Sequence, residues 1–156
     1  MSLRSKAFYE DPERIAQIIN KCEVCYVGMV DANNEPYVVP FNFGFKDGCI
    51  YLHSAQQGKK MDILRKNNKV CVAFSTDHQM AWQNADVACS YLMKYRSVQV
   101  FGHMEFIEDF DEKIKGMNIF MQKYTGRDFQ YGAPSIHEVS IYKVVIDKMY
   151  GKELGY

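Results

Sequence analysis

Apolar residues recur along this chain with two periods, and the switches between them mark out its elements. In "EDPERIAQIINKC" (10–22) Ile15, Ile18, Ile19 and Cys22 fall three and four apart, the helical spacing, with Asp11 as N-cap and Pro12 at the first helical position. "VCYVGMV" (24–30) reads as a strand and "DANNE" (31–35) as turn chemistry. "PYVVPFNFGF" (36–45) then alternates. Tyr37, Val39, Phe41, Phe43 and Phe45 face one side, and Val38, Pro40, Asn42 and Gly44 face the other. "KDG" turns the chain into the strand "CIYLHSA" (49–55), the helix "KKMDILRKNN" follows, and "KVCVAFST" (69–76) is again a strand.

Residues 77–94 show no clear period, and an irregular insertion of that length in a compact domain is usually functional or interfacial. "YRSVQVFGHMEFIED" (95–109) is a long strand in which Gly102 marks a bulge or a close approach of backbone. In "DFDEKIKGMNIFMQKYTG" (109–126) Asp109 and Glu112 form a capping box, and Phe110, Ile114, Met117, Met121 and Tyr124 form a stripe. Gly126 supplies the stop. "HEVSIYKVVIDKMYG" (137–151) is the last strand. About six strands and three helices, with antiparallel turn signals and no regular alternation, predict a mainly β fold. The expected architecture is a small antiparallel barrel with peripheral helices, one domain over residues 1–156.

Composition narrows the function. Nineteen basic residues balance nineteen acidic ones, so the chain has no bulk attraction for nucleic acid or an anionic membrane. Any anion site must be local. The five cysteines (22, 25, 49, 71, 89) are odd in number, and no leader or spanning segment is visible, which predicts reduced thiols in a cytoplasmic protein. Cys22 and Cys25 join a helix end to a strand start without a second ligand pair at zinc spacing, so no metal site is expected.

One local charge excess stands out. The helix after residue 58 opens on Lys59 and Lys60, where the helix dipole is already positive, a placement costing about 0.3–1 kcal/mol per charge. A phosphate bound there would meet free backbone N–H groups, the dipole and two ammonium groups together. Ser54 offers a hydroxyl nearby, and Gly58 lets backbone come close. Arg65, Lys66 and Lys69 read as a solvated face. Pro40, with Asn42 and Gly44 beside it, marks an edge strand. That edge is open to two readings: a rail for a flat polar heterocycle, or a strand protected against aggregation.

The order "EPYVVPFNFGFKDGCIYLHSAQQGKKMDILRKNNKVCVAF", then "YRSVQVFGHMEFIED" and a helix beginning "DEK", resembles the pyridoxamine-5′-phosphate-oxidase-like flavoprotein superfamily. Within it the chain is most similar to the 5-nitroimidazole-resistance branch, from about Glu10 to the C-terminus. The resemblance implies an FMN-binding split β-barrel that dimerises and holds FMN across the subunit interface. It carries the phosphate grip onto Lys59, with Lys60 beside it and Ser54 assisting. The edge Val39-Pro40-Phe41-Asn42 would border the isoalloxazine, with His53 and Ala55 near the flavin and Ser97 and Val98 approaching from another strand. The phosphate arginine of the oxidases is Gly58 here, and their C-terminal Arg-Leu pattern is absent, so vitamin B6 oxidation is not implied.

The implied activity is a reductase passing electrons from reduced flavin to a small acceptor such as a nitroimidazole, with NAD(P)H as electron source. The alternative is a non-catalytic flavin or haem binder for storage or sensing. His53 has two readings, a proton donor or ligand anchor with an ordinary pKa of about 6.5, or a packed imidazole. His103 and His137, on expected strands, and His78, in a loop, read as structural or solvent-facing.

Overall fold

The computed structural model describes residues 4–156. Eight strands form one antiparallel sheet: β1 (Lys6–Tyr9), β2 (Cys25–Val30), β3 (Pro36–Phe41), β4 (Gly44–Lys46), β5 (Cys49–Ala55), β6 (Lys69–Ala81), β7 (Leu92–Ile107) and β8 (Val139–Leu154). The helices are α1 (Pro12–Lys21), α2 (Lys59–Lys66), α3 (Phe110–Thr125) and α4 (Ala133–His137). The ladder runs β3-β2-β6-β7-β8-β5-β4, with β1 on β8.

β3 and β4 are the opposite edges of this sheet, yet only Asn42 and Phe43 separate them in the chain. Three steps, from Phe41 to Gly44, span at most about 11 Å, so the sheet must curl until its edges nearly meet. It does not close, because no ladder joins β3 to β4. The result is the split barrel that the family resemblance implied, and a form of the small antiparallel barrel with peripheral helices that the sequence pattern predicted.

The alternation along 36–45 is present, since Phe41 and Phe43 are buried while Val38 and Pro40 are exposed. The strand itself is broken, because the Phe43 amide donates to the Tyr124 hydroxyl of α3 (3.0 Å) instead of to a neighbouring strand. That hydroxyl also donates to the Glu23 carbonyl (2.7 Å), so one side chain fastens the split to the α1–β2 corner. This break, together with the short β1, makes eight strands of the expected six.

Inward-facing Cys25, Val27, Ile50, Leu52, Val72 and Val100 are at most 1% exposed, and α1 adds Ile15 and Ile19 to the same core. α1 begins as its sequence predicts, with the Asp11 carboxylate accepting from the Arg14 amide (2.9 Å). α3 begins with Asp109 accepting from the Glu112 amide and ends on Gly126 at φ 71°. The α3 stripe is only half-buried, and Gly116 is the one fully buried residue of that helix.

Three expectations need correction. Residues 77–94 are irregular only in part: 77–81 and 92–94 extend β6 and β7, past a register shift between Thr76 and Gln79, and 82–91 form the loop between them. Period was lost there because a two-stranded ribbon away from the core has no buried face to enforce alternation. His137 ends α4 rather than lying on a strand, since Pro134 starts a short helical turn. His78 lies within β6, against the Ser75 hydroxyl (2.6 Å).

Gly102 sits at the register shift between β7 and β8, where Phe101 faces Lys148 but Gly102 faces Ile146. A Cβ there would fall inside the Val145 carbonyl. Gly102→Ala is therefore expected to lower stability by about 3 kcal/mol, since main chain cannot yield as a side chain can. Urea denaturation would show this as a lowered midpoint; an unchanged midpoint would mean that the bulge relaxes freely.

Candidate functional site

α2 starts three residues after β5, and the connection fixes how it starts. Gly58 is its N-cap at φ 121°, ψ 166°, a conformation essentially restricted to glycine. No side chain caps the helix, and the Met61 and Asp62 amides donate to the Gly58 carbonyl (2.9 and 3.1 Å), so the amides of Lys59 and Lys60 are the ones left for a ligand. The loop before it is pinned from two sides. The Gln56 side chain donates to the His137 carbonyl, and Arg65 donates to the Gln56 carbonyl (2.8 Å). Arg65, read from sequence as a solvated cation, thus braces the loop that presents the two lysines.

Both lysines lean on β3. The Lys59 ammonium lies 4.8 Å from the Tyr37 ring centroid, and that of Lys60 lies 4.9 Å from the Phe41 ring centroid. Aromatic faces attract cations, which offsets part of the unfavourable dipole placement and holds both charges at the barrel's open edge. The first turn also carries Asp62, but its carboxylate turns to Arg65 (3.8 Å). β3 has one ladder neighbour, β2, so its other edge keeps main-chain groups free along Val39-Pro40-Phe41-Asn42. Val38, Pro40 and Asn42 are exposed, Val39 is half-buried and Phe41 points into the core.

His53 lies on β5 opposite Ile141 of β8, half-buried beneath α3. Its ring meets Phe120 edge-on at 4.4 Å. Burial lowers its pKa below 6.5, and the Lys60 charge lowers it further. The imidazole is therefore neutral at pH 7, with one N–H to donate and one lone pair to accept. Ala55 is exposed at the strand end. Ser54 is turned the other way. It is 7% exposed, and its hydroxyl contacts the Ala55 carbonyl (2.9 Å) and the Met61 sulfur (3.4 Å). Strand alternation puts it on the core face, so its side chain is not among the outward-facing groups.

Ser97 and Val98 are elsewhere. Ser97 pairs with Lys152, whereas His53 pairs with Ile141, eleven residues away on the same strand. That is on the order of 30 Å at about 3.3 Å per residue. Val98 is 1% exposed and packs in the core, and the Ser97 hydroxyl donates to the Lys152 carbonyl (3.4 Å). One chain therefore gathers Lys59, Lys60 and the β3 edge on one side of the split and Ala55 and His53 on the other, while Ser97 and Val98, beside Gln99 in the row of Pro40, lie three strands from the β3 edge and far along β8 from His53.

The cavity of about 730 Å³ beside α3, lined by Phe45, Lys46, Lys115, Ile119 and Lys123, includes none of these residues. The lysine edge is an open shelf. Cys22 and Cys25 are buried thiols with raised pKa values, Cys25 pushed up to about 12 by desolvation, and neither is poised for nucleophilic chemistry. Sequence reasoning missed Tyr37, Phe120 and Arg65 as parts of the site. Tyr37 showed only as a member of the inward stripe, and nothing local to Phe120 pointed at His53.

The shelf fits a phosphorylated planar ligand in its donor set: uncapped amides, two ammonium groups, a glycine at which added atoms meet no neighbour within 4 Å, and an unpaired strand edge. Residues 11–153 match the family model described as pyridoxamine 5′-phosphate oxidase. A structure from Bacteroides thetaiotaomicron, of a protein provisionally named for 5-nitroimidazole antibiotic resistance, is 40% identical. The match covers 97% of this chain and 89% of that one, with a TM-score of 0.87. The flavocytochrome Anf3 from Azotobacter vinelandii shares the fold at 21% identity, covering 94% of this chain and 68% of that one, with a TM-score of 0.79. So does an FAD- and haem-binding protein from Mycobacterium smegmatis, at 17% identity, 95% and 73% coverage, and a TM-score of 0.82. No curated protein matches the chain.

The lowered His53 pKa has a pH signature. The unfolded chain takes up this proton near pH 6.5 while the folded one resists it, so stability is lost as pH falls from about 6.5 through the folded value. In a melting series from pH 7.5 to 5, His53→Gln is expected to flatten that slope. An identical slope would mean that His53 titrates normally. Gly58→Ala is expected to cost about 1–3 kcal/mol of strain alone, as its Cβ meets no neighbour within 4 Å. A calorimetric scan of the variant measures it.

Proposed function

The chain belongs to the pyridoxamine 5′-phosphate oxidase family, and on that premise we propose that it binds FMN at the shelf beside α2 and serves as a flavin-dependent reductase of small acceptors such as nitroimidazoles. The observation that carries this reading is the pair of lysines at an uncapped helix start, leaning on the edge strand. Lys59 and Lys60, with their own main-chain amides, hold the phosphate dianion. The free edge of β3 from Val39 to Asn42 offers main-chain donors and acceptors to the rim of the isoalloxazine, and Ala55 leaves room beside it.

Reduced flavin supplies the electrons, as a hydride or singly, and a nicotinamide nucleotide is the class of donor that recharges it. The protein's part is placement and proton handling. His53, neutral at pH 7, holds a proton on one ring nitrogen and accepts on the other, so it can hydrogen-bond an acceptor's oxygen. An anion on Lys60 cancels part of the charge that depresses His53, so occupancy of the phosphate site makes the imidazole a better proton carrier.

The functional unit in this reading is a homodimer with the flavin at the interface. Pro40, Tyr26, Ala73, Gln99 and Tyr150 face one another in a row across five adjacent strands. Tyr26 is 52% exposed in this row, and Val38 on the same face is 61% exposed. A solvated antiparallel sheet face is ordinarily polar; this one is suited to a second copy, which would also bring its Ser97 and the Val98 main chain toward the flavin. A second reading, a flavin or haem binder without turnover, draws on the neutral, half-buried imidazole, the form in which histidine binds iron.

Lys59→Glu is expected to lose FMN affinity by about tenfold or more, because an anion replaces a charge-assisted donor to phosphate. Flavin absorbance of the purified variant checks this, and full occupancy would defeat the phosphate assignment. His53→Ala is expected to keep flavin and slow anaerobic reoxidation by a nitroimidazole about a hundredfold. Flavin that stays reduced in the wild-type protein, or a Soret band, would favour the binder.

A further inference from the structure

Beyond Tyr95, which faces Leu154, β7 has no partner in β8. β6 and β7 continue as a two-stranded ribbon, through Gln79 with Lys94, Met80 with Met93 and Ala81 with Leu92, and Arg4 donates to the Cys89 carbonyl near its tip. An isolated two-stranded ribbon is marginal in water, yet both ends of this one are fixed. At its root, Asp77 at φ 55° accepts from Arg96 (2.6 Å) and Lys21 (3.0 Å). Buried Glu153 holds Arg96 (3.3 Å) and Arg14 (2.6 Å), and the Tyr156 hydroxyl donates to the Asp77 carbonyl. At its tip, Ser90 donates to the Asn84 carbonyl (2.6 Å), and the Tyr91 hydroxyl donates to the Ala85 carbonyl (3.0 Å).

This rigid arm shows water a strongly apolar surface. Met80 and Trp82 are each 50% exposed, and Val87, Tyr91 and Met93 are also exposed. Trp82 stacks on Tyr91, with centroids 5.3 Å apart and planes at 22°. A clamped root and a preformed tip carrying aromatic rings constitute a contact surface whose ordering cost has been met in advance.

Its direction identifies the occupant. Along β8 the arm continues past the Lys152 end, away from His53 at the Ile141 end, so it points away from its own histidine. Its root is continuous with the exposed row of Tyr26, Ala73, Gln99 and Tyr150, the face assigned above to self-association. Lys59 and the Val38, Pro40 and Asn42 side of the shelf lie open to solvent. We propose that residues 77–94 reach across to a second copy and close that copy's flavin cleft, with Trp82 as the aromatic wall against which a planar acceptor stacks. By two-fold symmetry each copy gives an arm and receives one. The proposal rests on the flavin reading of the shelf and adds to it a wall from the second copy.

Trp82 is the chain's only tryptophan, so its fluorescence reports the arm alone. An indole in contact with an isoalloxazine extinguishes flavin emission by electron transfer. In the FMN-loaded protein the flavin should therefore be dim, and Trp82→Phe, which keeps an aromatic ring for the arm's packing, should brighten it without releasing it. The decisive sample is a heterodimer of one Trp82→Phe chain and one Lys59→Glu chain, purified through two different tags. Its one intact phosphate grip belongs to the chain lacking Trp82, so dim flavin places the tryptophan in trans. Flavin as bright as in the Trp82→Phe homodimer overturns the proposal.

Acrylamide quenching of Trp82 in flavin-free protein separates the arm from the flavin reading. Shielding in the dimer and exposure on dilution to monomer support the contact between copies. Equal exposure in both, or a protein that is monomeric throughout, overturns it. A chain that takes up no FMN while Trp82 is shielded on dimerisation would sink the flavin reading and the cleft wall together, and leave the arm as a dimer clasp.

Discussion

The two-residue link between β3 and β4 is the constraint from which the rest of this structure follows. It ties the two outermost strands of a single sheet, so the sheet must roll into a barrel, and the Phe43 amide within it is committed to Tyr124 rather than to a ladder between those strands. Tyr124 stabilises the unpaired corner by accepting from Phe43 and donating to Glu23, groups that would otherwise lack partners at the split. The price of the split is a strand with one free edge. Proteins usually protect such an edge, and here Pro40 and the adjoining lysines do so while leaving backbone donors and acceptors open to a ligand. The two readings of Pro40 are thus compatible: one proline discourages strand addition and shapes a rail for a flat ring.

The electrostatics of the shelf depend on that same edge. Lys59 and Lys60 oppose their helix dipole, and the aromatic rings of Tyr37 and Phe41 are what they rest on. Cation–π contacts of about 0.5–1 kcal/mol each at exposed sites are comparable to the dipole penalty, so the lysines are held close to neutral cost. Asp62 is turned to Arg65 rather than to these lysines, and the carboxylate influence on Lys59 is that of Asp31, whose pKa is lowered by backbone amides and, to a lesser degree, by Lys59. His53 lies inside the reach of the same field, which couples its protonation to occupancy of the anion site.

Long strands divide the labour along the barrel. β7 and β8 each run for sixteen residues, and their length places the rung of His53 at one end and the clamped ribbon at the other. In the proposed two-fold dimer that separation becomes proximity, because the far end of one chain can lie over the near end of its partner. The ion-pair clamp at Asp77 and Glu153 belongs to this geometry. Asp77, Arg96 and Glu153 are half-buried or buried and share partners, while Arg14 and Lys21 are exposed, so the clamp fixes the direction of the ribbon more than it adds to stability.

The sequence by itself determined the features that depend on near neighbours. Asp11 and Asp109 cap their helices, Gly126 ends one, the inward stripe from Tyr37 to Phe45 alternates, and Gly102 marks a close approach, because each of these is settled within a few residues. The family was legible for the same reason, in a contiguous run from Glu35 to Phe74. Only the tertiary structure decided that the strand after Phe41 breaks, because the competing acceptor, Tyr124, lies more than eighty residues away. It also decided that Ser54 turns inward, that Phe120 covers His53 and lowers its basicity with burial, and that Ser97 is stranded eleven rungs from the histidine it was grouped with. Local pattern fixes which face of an element is apolar. Which residues meet across those faces depends on the curl of the whole sheet, and no window of sequence contains it.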